Sequence, residues 1–299
     1  MSYSMENKLV IGISSRALFN LEEENAIFET YGLEAYRKYQ KEHENEILKP
    51  GAGFRLCSTF SSMMIEGEPV AEVVVISRNS ADTSMRIFNS IRHYGIDIKR
   101  AVLSGGTPIG PYLRSFTTDL FLSANAEDVQ DAVNAGFAAG LIFPSGYEEV
   151  RDNVVRIAFD GDAVIFSDEA EKIYREKGLD AFSEHEWKNA RNPLPEGPFA
   201  PFLKMISTIQ NKYSPELVPI RTALVTARCA PAHERVIRTL DAWDVRVDEA
   251  FFLGGLDKTS VLEAFGADIF FDDQKQHIEP ACQVVPSAQV PYITEGNND

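Results

Sequence analysis

An α/β fold of two tandem, doubly wound units is predicted by three observations. Apolar strand-like runs alternate with helical stretches, the pattern of a parallel sheet with helices on its faces. The chain also repeats itself. Shifted by 146 positions, Ile11 falls on Ile157, Ala17 on Ala163, Gly32 on Gly178 and Tyr36 on Phe182 without a gap. Finally, the polar residues singled out below follow strand ends or start helices, where ligands sit in such sheets.

The elements of the second unit can be justified in order. Val154–Phe159 is an apolar strand, and Asp168–Gly178 opens a helical stretch. Arg221–Thr226 is the next strand. Ala230–Trp243 is a helix with Val236, Ile237 and Leu240 on one face. Glu249–Leu253, Lys258–Phe265 and Asp268–Phe271 complete the unit as strand, helix and strand. About 60 residues separate its first two strands, too many for an ordinary loop. Within them Asn192-Pro193-Leu194-Pro195-Glu196-Gly197-Pro198 breaks any helix, so a small helical cap is expected at about 167–220.

In the first unit the offset drifts. Val73–Arg78 matches Ala223–Arg228 at 150, and at 149 Gly105-Gly106 matches Gly254-Gly255 and Asp119–Leu122 matches Asp268–Phe271. The boundary is expected at the Pro144-Ser145-Gly146 turn, with domains 1–146 and 147–299. A length of 299 residues fits two domains of ordinary size.

Composition excludes several classes. A net charge of -16 argues against a nucleic-acid partner, which demands clustered Lys and Arg. It allows a small anionic substrate if a metal ion screens the site. Cys57, Cys229 and Cys282 are too few and too scattered for a disulfide framework or a zinc motif, and they fit a reducing cytosol. No signal peptide and no run of 18 apolar residues is found, so no membrane role is expected.

The chemistry centres on Phe159-Asp160-Gly161-Asp162. A carboxylate at a strand end can attack phosphorus, given a cation between it and the phosphate. Asp162 can protonate the leaving oxygen and then activate water. Gly161 is expected to provide the tight turn between them. A calcium loop is excluded because its fifth and sixth positions would be Val164 and Ile165. Thr226, with the backbone N–H groups of Ala227 and Arg228, can hold phosphate oxygens. The Arg228 side chain adds either a phosphate contact or a surface salt bridge. Lys258 can neutralise nucleophile and phosphate together. It belongs to no P-loop, since Asp257 and not Gly precedes it. Asp272-Asp273 are hard-cation ligands suited to Mg²⁺.

With these motifs assembled, the chain resembles the haloacid-dehalogenase superfamily, and within it the cytosolic type-I 5′-nucleotidases. The residues that carry the likeness are Ser14–Phe19, Phe159–Val164, Val225–Arg228, Phe270–Gln274, Tyr39–Glu46 and Leu122–Glu127. The resemblance implies two Rossmann-like units and Mg²⁺-dependent hydrolysis of nucleoside 5′-monophosphates, AMP preferred. It implies Asp160 as nucleophile, Asp162 as acid/base, and Thr226 and Lys258 on the phosphate. Asp160, Asp162, Asp272 and Asp273 would serve the metal.

Under the repeat, Asp160 aligns with Ser14, Asp162 with Arg16, Thr226 with Ile76, Lys258 with Ile109, Asp272 with Ser123 and Asp273 with Ala124. The first unit therefore reads as a degenerate pseudo-domain that caps the active unit, contributes to substrate binding, or mediates a homo-oligomer. Its Arg78 and Asn79 either face the nucleotide or cap local turns.

Overall fold

The structure, a computed structural model, describes residues 5, 7–144, 154–214 and 216–292. Its strands are β1 (Leu9–Ile13), the hairpin pair β2 (Met64–Ile65) and β3 (Glu68–Pro69), β4 (Ala71–Ser77), β5 (Arg100–Leu103), β6 (Leu120–Ser123) and β7 (Ala138–Ile142). They continue as β8 (Val155–Phe159), β9 (Ile220–Thr226), β10 (Glu249–Phe252), β11 (Ile269–Asp272) and β12 (Ser287–Gln289). The helices of the first half are α1 (Ser15–Leu18), α2 (Glu22–Glu42), α3 (Phe54–Ser62), α4 (Met85–Tyr94), α5 (Gly110–Ser115) and α6 (Ala126–Asn134). Those of the second are α7 (Glu169–Lys188), α8 (Ala200–Lys212), α9 (His233–Ala242), α10 (Thr259–Phe265) and α11 (Lys275–Ala281).

Ten strands form one sheet in the order β10-β9-β8-β11-β12-β7-β6-β1-β4-β5. Every neighbouring pair is parallel except β12 with β7, where Ala288 faces Ile142 and Gln289 faces Leu141. The strand sequences explain this placement. LVIGI of β1, LFLS of β6 and IFFD of β11 are buried throughout, as a parallel sheet covered by helices on both faces requires. Beneath the ends of β8 and β11, Phe159 stacks on Phe271 at 5.6 Å, and Phe199 packs against Phe271 at 4.6 Å. Burial of each such ring contributes on the order of 1.5–3 kcal/mol and makes a rigid floor for the residues that follow the strands.

The strand order of the first half, β5-β4-β1-β6-β7, is matched by β10-β9-β8-β11-β12 in the second. Local details recur with it. Asp119 accepts from the Val10 N–H at 2.7 Å, and Asp268 accepts from the Arg156 N–H at 2.7 Å. Both α2 and α7 break at a glycine with φ of 80°, Gly32 and Gly178, a conformation that L side chains adopt only under strain. Because the seam between β7 and β12 is antiparallel, the carboxyl ends of the two sets of strands lie on opposite rims of the sheet.

Several expected boundaries move. The strand starting at Val154 starts at Val155, the helix expected from Ala230 starts at His233, and Asp272 is the last residue of β11. Ile237, expected on the buried face of α9, is 52% exposed, whereas Val236 is buried and Leu240 packs against the core. The register also realigns one pair. Ile13 faces Val75 and Phe159 faces Leu224, so Thr226 corresponds to Ser77 and not to Ile76. A hydroxyl is thus kept at that place in the first half. Of the Pro144-Ser145-Gly146 turn, Ser145 and Gly146 lie outside the described residues. The segment 167–220 divides in two: α7 buries little beyond Ala170 and Glu186, while α8 sinks Phe202, Leu203 and Ile206 into the core.

Candidate active site

The second-half rim gathers its residues through three neighbouring strands. Asp160 leaves β8 in extended conformation, and its N–H donates to the Phe271 carbonyl at 2.8 Å. This keeps it beside Asp272, the end of β11. Thr226 ends β9 on the other side. Lys258 stands at the N-cap of α10, and its Nζ donates to Asp160 Oδ1 at 2.7 Å and to Asp272 Oδ2 at 2.6 Å. The Thr226 hydroxyl accepts from the Arg228 N–H at 3.2 Å, and Ala227 between them is exposed.

Gly161 serves space, and the tight turn lies elsewhere. A Cβ there would stand 3.2 Å from Thr226 Oγ1, whereas the left-handed residue of the loop is Ala163 with φ of 60°.

One ammonium is shared by two carboxylates, and their environments divide them. Burial pushes the Asp160 carboxyl up to about 7, against the pull of Lys258. Asp272 is also buried, but hydrogen bonds from His277 and Lys258 outweigh that and hold it below the usual carboxylate range. Burial is likewise the main force on Asp273, with Asp160 adding repulsion, and pushes it up to about 8.

Asp160, Asp272 and Asp273 each offer an oxygen within 4.8 Å of the others. Asp273 Oδ1 is buried without a hydrogen-bond partner. An orphaned carboxylate oxygen beside two further carboxylates costs free energy unless a cation or proton satisfies it. The donor set is all oxygen, so the residues fit a hard divalent cation.

Asp162 is held from outside this cluster. Arg228 grips it bidentately, Nε to Oδ2 at 2.8 Å and Nη2 to Oδ1 at 2.7 Å. Arg228 is therefore neither free for phosphate nor part of a surface pair. It is buried, and its Nη1 donates to Glu186 Oε2. Glu186 in turn accepts from Arg235 Nη1 at 2.8 Å, and Arg235 Nε donates to the Asn192 carbonyl at 2.9 Å. Burial works against the charge of Glu186, but the two guanidinium groups outweigh it and hold the carboxyl below its ordinary value.

Asp160, Asp162, Thr226, Lys258, Asp272, Asp273 and Arg228 with Ala227 thus come together. Arg78 and Asn79 do not, for they belong to the opposite rim. Arg78 Nε donates to Asp128 at 2.5 Å, and Asn79 Nδ2 donates to Ser15 Oγ at 3.3 Å.

Four contributions escaped the sequence reading. Glu186 and Arg235 fix Arg228. Tyr292 donates its hydroxyl to Asp273 and, at 3.1 Å, to Glu171. Tyr174 and Phe182 form an edge-on aromatic pair at 6.2 Å across the Gly178 break. The Arg228 guanidinium lies 5.4 Å over the Phe182 ring, which puts the pair beside Asp162. The shared offset of this pair with Phe28 and Tyr36 was the one signal available for it.

Comparison with known proteins agrees with this geometry. A family model described as 5′-nucleotidase matches residues 1–297. The chain is similar to human cytosolic 5′-nucleotidase 1B, 39% identical over 290 residues, which cover 92% of this chain and 47% of the human protein. It spans about half the length of that relative. No solved structure matches the chain at a significant level.

Proposed function

The chain belongs to the cytosolic type-I 5′-nucleotidase family, and from that premise we propose that it hydrolyses nucleoside 5′-monophosphates, AMP preferred, to nucleoside and phosphate. The observation that carries the reading is the buried Lys258 ammonium spanning Asp160 and Asp272, with the orphaned oxygen of Asp273 beside them. It suits a site that takes up a divalent cation and a phosphate dianion together.

In this reading Asp160 attacks phosphorus and forms an aspartyl-phosphate as the bond to the 5′-oxygen breaks. Asp162 gives its proton to that oxygen. A water then attacks the phosphorus, Asp162 takes its proton, and phosphate leaves with Asp160 restored. Arg228 occupies both oxygens of Asp162, so the proton transfer requires that pair to open when the nucleotide enters. Thr226 and Lys258 bind the phosphate, the latter offsetting the charge gained by its oxygens. Asp160, Asp272 and Asp273 would hold Mg²⁺, which when bound screens the phosphate charge. In this reading the aromatic pair Tyr174 and Phe182 stacks on the base, and α7, which carries it, acts as the cap. The matching strand orders support tandem units at 1–146 and 147–299, the first without chemistry.

The test is phosphate release from nucleoside monophosphates and sugar phosphates, with Mg²⁺ and with excess EDTA. AMP is expected to be the best substrate, and EDTA is expected to abolish turnover. Undiminished release in EDTA contradicts the metal, a preference for sugar phosphates contradicts the substrate, and nucleotide binding without release contradicts the enzyme.

Cation affinity should also depend on pH. Asp273 at about 8 and Asp160 at about 7 hold protons that a bound cation must displace. Apparent Mg²⁺ affinity is therefore expected to fall as pH drops from about 8 to 6, by roughly tenfold per unit for each proton displaced. Calorimetry in buffers of different ionisation enthalpy measures that release. A flat affinity across this range would contradict it.

A further inference from the structure

The carboxyl-end rim of the first half encloses a cavity of about 440 Å³. Ser14, Ser15, Ser77 and Asn79 line it from the strand ends, and Phe28 and Tyr36 of α2 line it from the side. Compared position by position with the catalytic rim, it has lost one kind of chemistry and kept another.

What is lost is the charged set that handles a phosphate dianion, its carboxylates and its lysine. Ser14, Ser123 and Ala124 replace the three carboxylates that fit a cation, so no metal set remains there among the described residues. Ile109 stands in place of Lys258 and is buried in the core. Three arginines line the cavity, but each is already neutralised. Arg16 pairs with Glu22 at 2.6 Å, Arg37 with Glu34 at 2.9 Å and Asp82 at 3.2 Å, and Arg78 with Asp128 at 2.5 Å. A dianion entering here would meet the carboxylates of these pairs beside each guanidinium.

What is kept is the part suited to a ring. Phe28 and Tyr36 pair at 6.0 Å and 80°, as Tyr174 and Phe182 pair at 6.2 Å and 83° on the other rim. Each pair spans its glycine break, Gly32 or Gly178. Ser77 keeps the hydroxyl of Thr226 and accepts from the Asn79 N–H at 3.2 Å, the same geometry as Thr226 with Arg228. An aromatic wall and a floor of hydroxyls and an amide match a flat heterocycle carrying a polyol.

We propose that this cavity binds a free, uncharged nucleoside without a metal ion. The choice of nucleoside rests on the function proposed above, since it is the product of that reaction; the exclusion of phosphate rests on the cavity alone. A product site on the rim opposite the catalytic one lets nucleoside be held without competing for the phosphate site.

The test is calorimetric titration of the full chain in excess EDTA with adenosine, AMP or inorganic phosphate. Adenosine is expected to bind wild type and Asp160→Asn alike, AMP to bind no tighter than adenosine, and phosphate not to bind. Asn25→Trp, which fills the cavity from α2, and Asn79→Leu are each expected to weaken adenosine at least about tenfold, roughly 1.4 kcal/mol. Should either variant fail to fold, photolabelling of wild type with 8-azidoadenosine in EDTA gives an independent reading by peptide mapping. Label on the peptide containing Phe28 and Tyr36 supports the proposal. Label confined to the peptide containing Tyr174 and Phe182 overturns it. It is overturned equally by the absence of adenosine binding, by binding lost in Asp160→Asn but kept in both cavity variants, or by AMP or phosphate binding tenfold tighter than adenosine. Phosphate release with Mg²⁺ reads the catalytic rim separately. Release without adenosine binding sinks this proposal alone, and adenosine binding without release sinks only the enzyme reading.

Discussion

Replacement of Asp160 by Asn is expected to lower kcat for phosphate release at least about 1,000-fold, a barrier increase of about 4 kcal/mol. An amide cannot act as the attacking carboxylate, and the cation loses a charged ligand. The fold should survive. Lys258 keeps its bond to Asp272 at 2.6 Å, and the backbone N–H of residue 160 keeps its bond to the Phe271 carbonyl. Steady-state release from AMP, together with thermal melting of the same preparation, separates the two effects. Turnover within about tenfold of wild type in a folded variant is too small a change for loss of the nucleophile and would remove Asp160 from that role.

Glu186→Ala is expected to cost about 3–5 kcal/mol of stability, the usual penalty for deleting one partner of a buried ion pair. Glu186 has no exposure at all and joins Arg228 to Arg235, both buried. Its removal leaves two guanidinium groups short of an acceptor in a place that water does not reach. Glu186→Gln, which retains an acceptor, should lose less. The sign of the pH dependence follows from the direction of the shift. A glutamate held below its ordinary 4.5 contributes stability that is fully present above 4.5 and is lost as pH falls below it. The difference between wild type and Glu186→Gln in urea unfolding should thus hold from neutral pH to about 4.5 and shrink below. A loss under about 1 kcal/mol for Glu186→Ala at pH 7 would mean that the arginines are satisfied without it.

The cluster proposed as catalytic was legible in the sequence because each member is tied to a strand end by local rules. An apolar run ending in Phe159 or Phe271 can only deliver the next residue to the rim, whatever the rest of the chain does. Glu186, Arg235 and Tyr292 are tied by nothing local. They reach the site from the far end of α7, from α9 and from beyond β12, and no period in the sequence encodes that convergence. The same limit explains the misassigned role of Gly161, whose need for space comes from Thr226 on a different strand. Which rim Asn79 belongs to was not legible for a related reason. Its place at a strand end was correct, but the direction of that strand relative to Asp160 depends on a pairing of three-residue β12 with β7 that carries no sequence signature of its own.

That seam also bears on how the chain tolerates mutation. The two rims share no side chain among those described at either cleft, and within the sheet the halves meet at the short register of Ala288 with Ile142 and Gln289 with Leu141. A substitution in one cleft therefore touches the other only through shared elements, such as the Arg55–Asp268 pair and the bond from Gln130 to the Tyr292 carbonyl. The two rims accordingly carry different chemistry at matched places, Ser14, Ser123 and Ala124 in one and Asp160, Asp272 and Asp273 in the other.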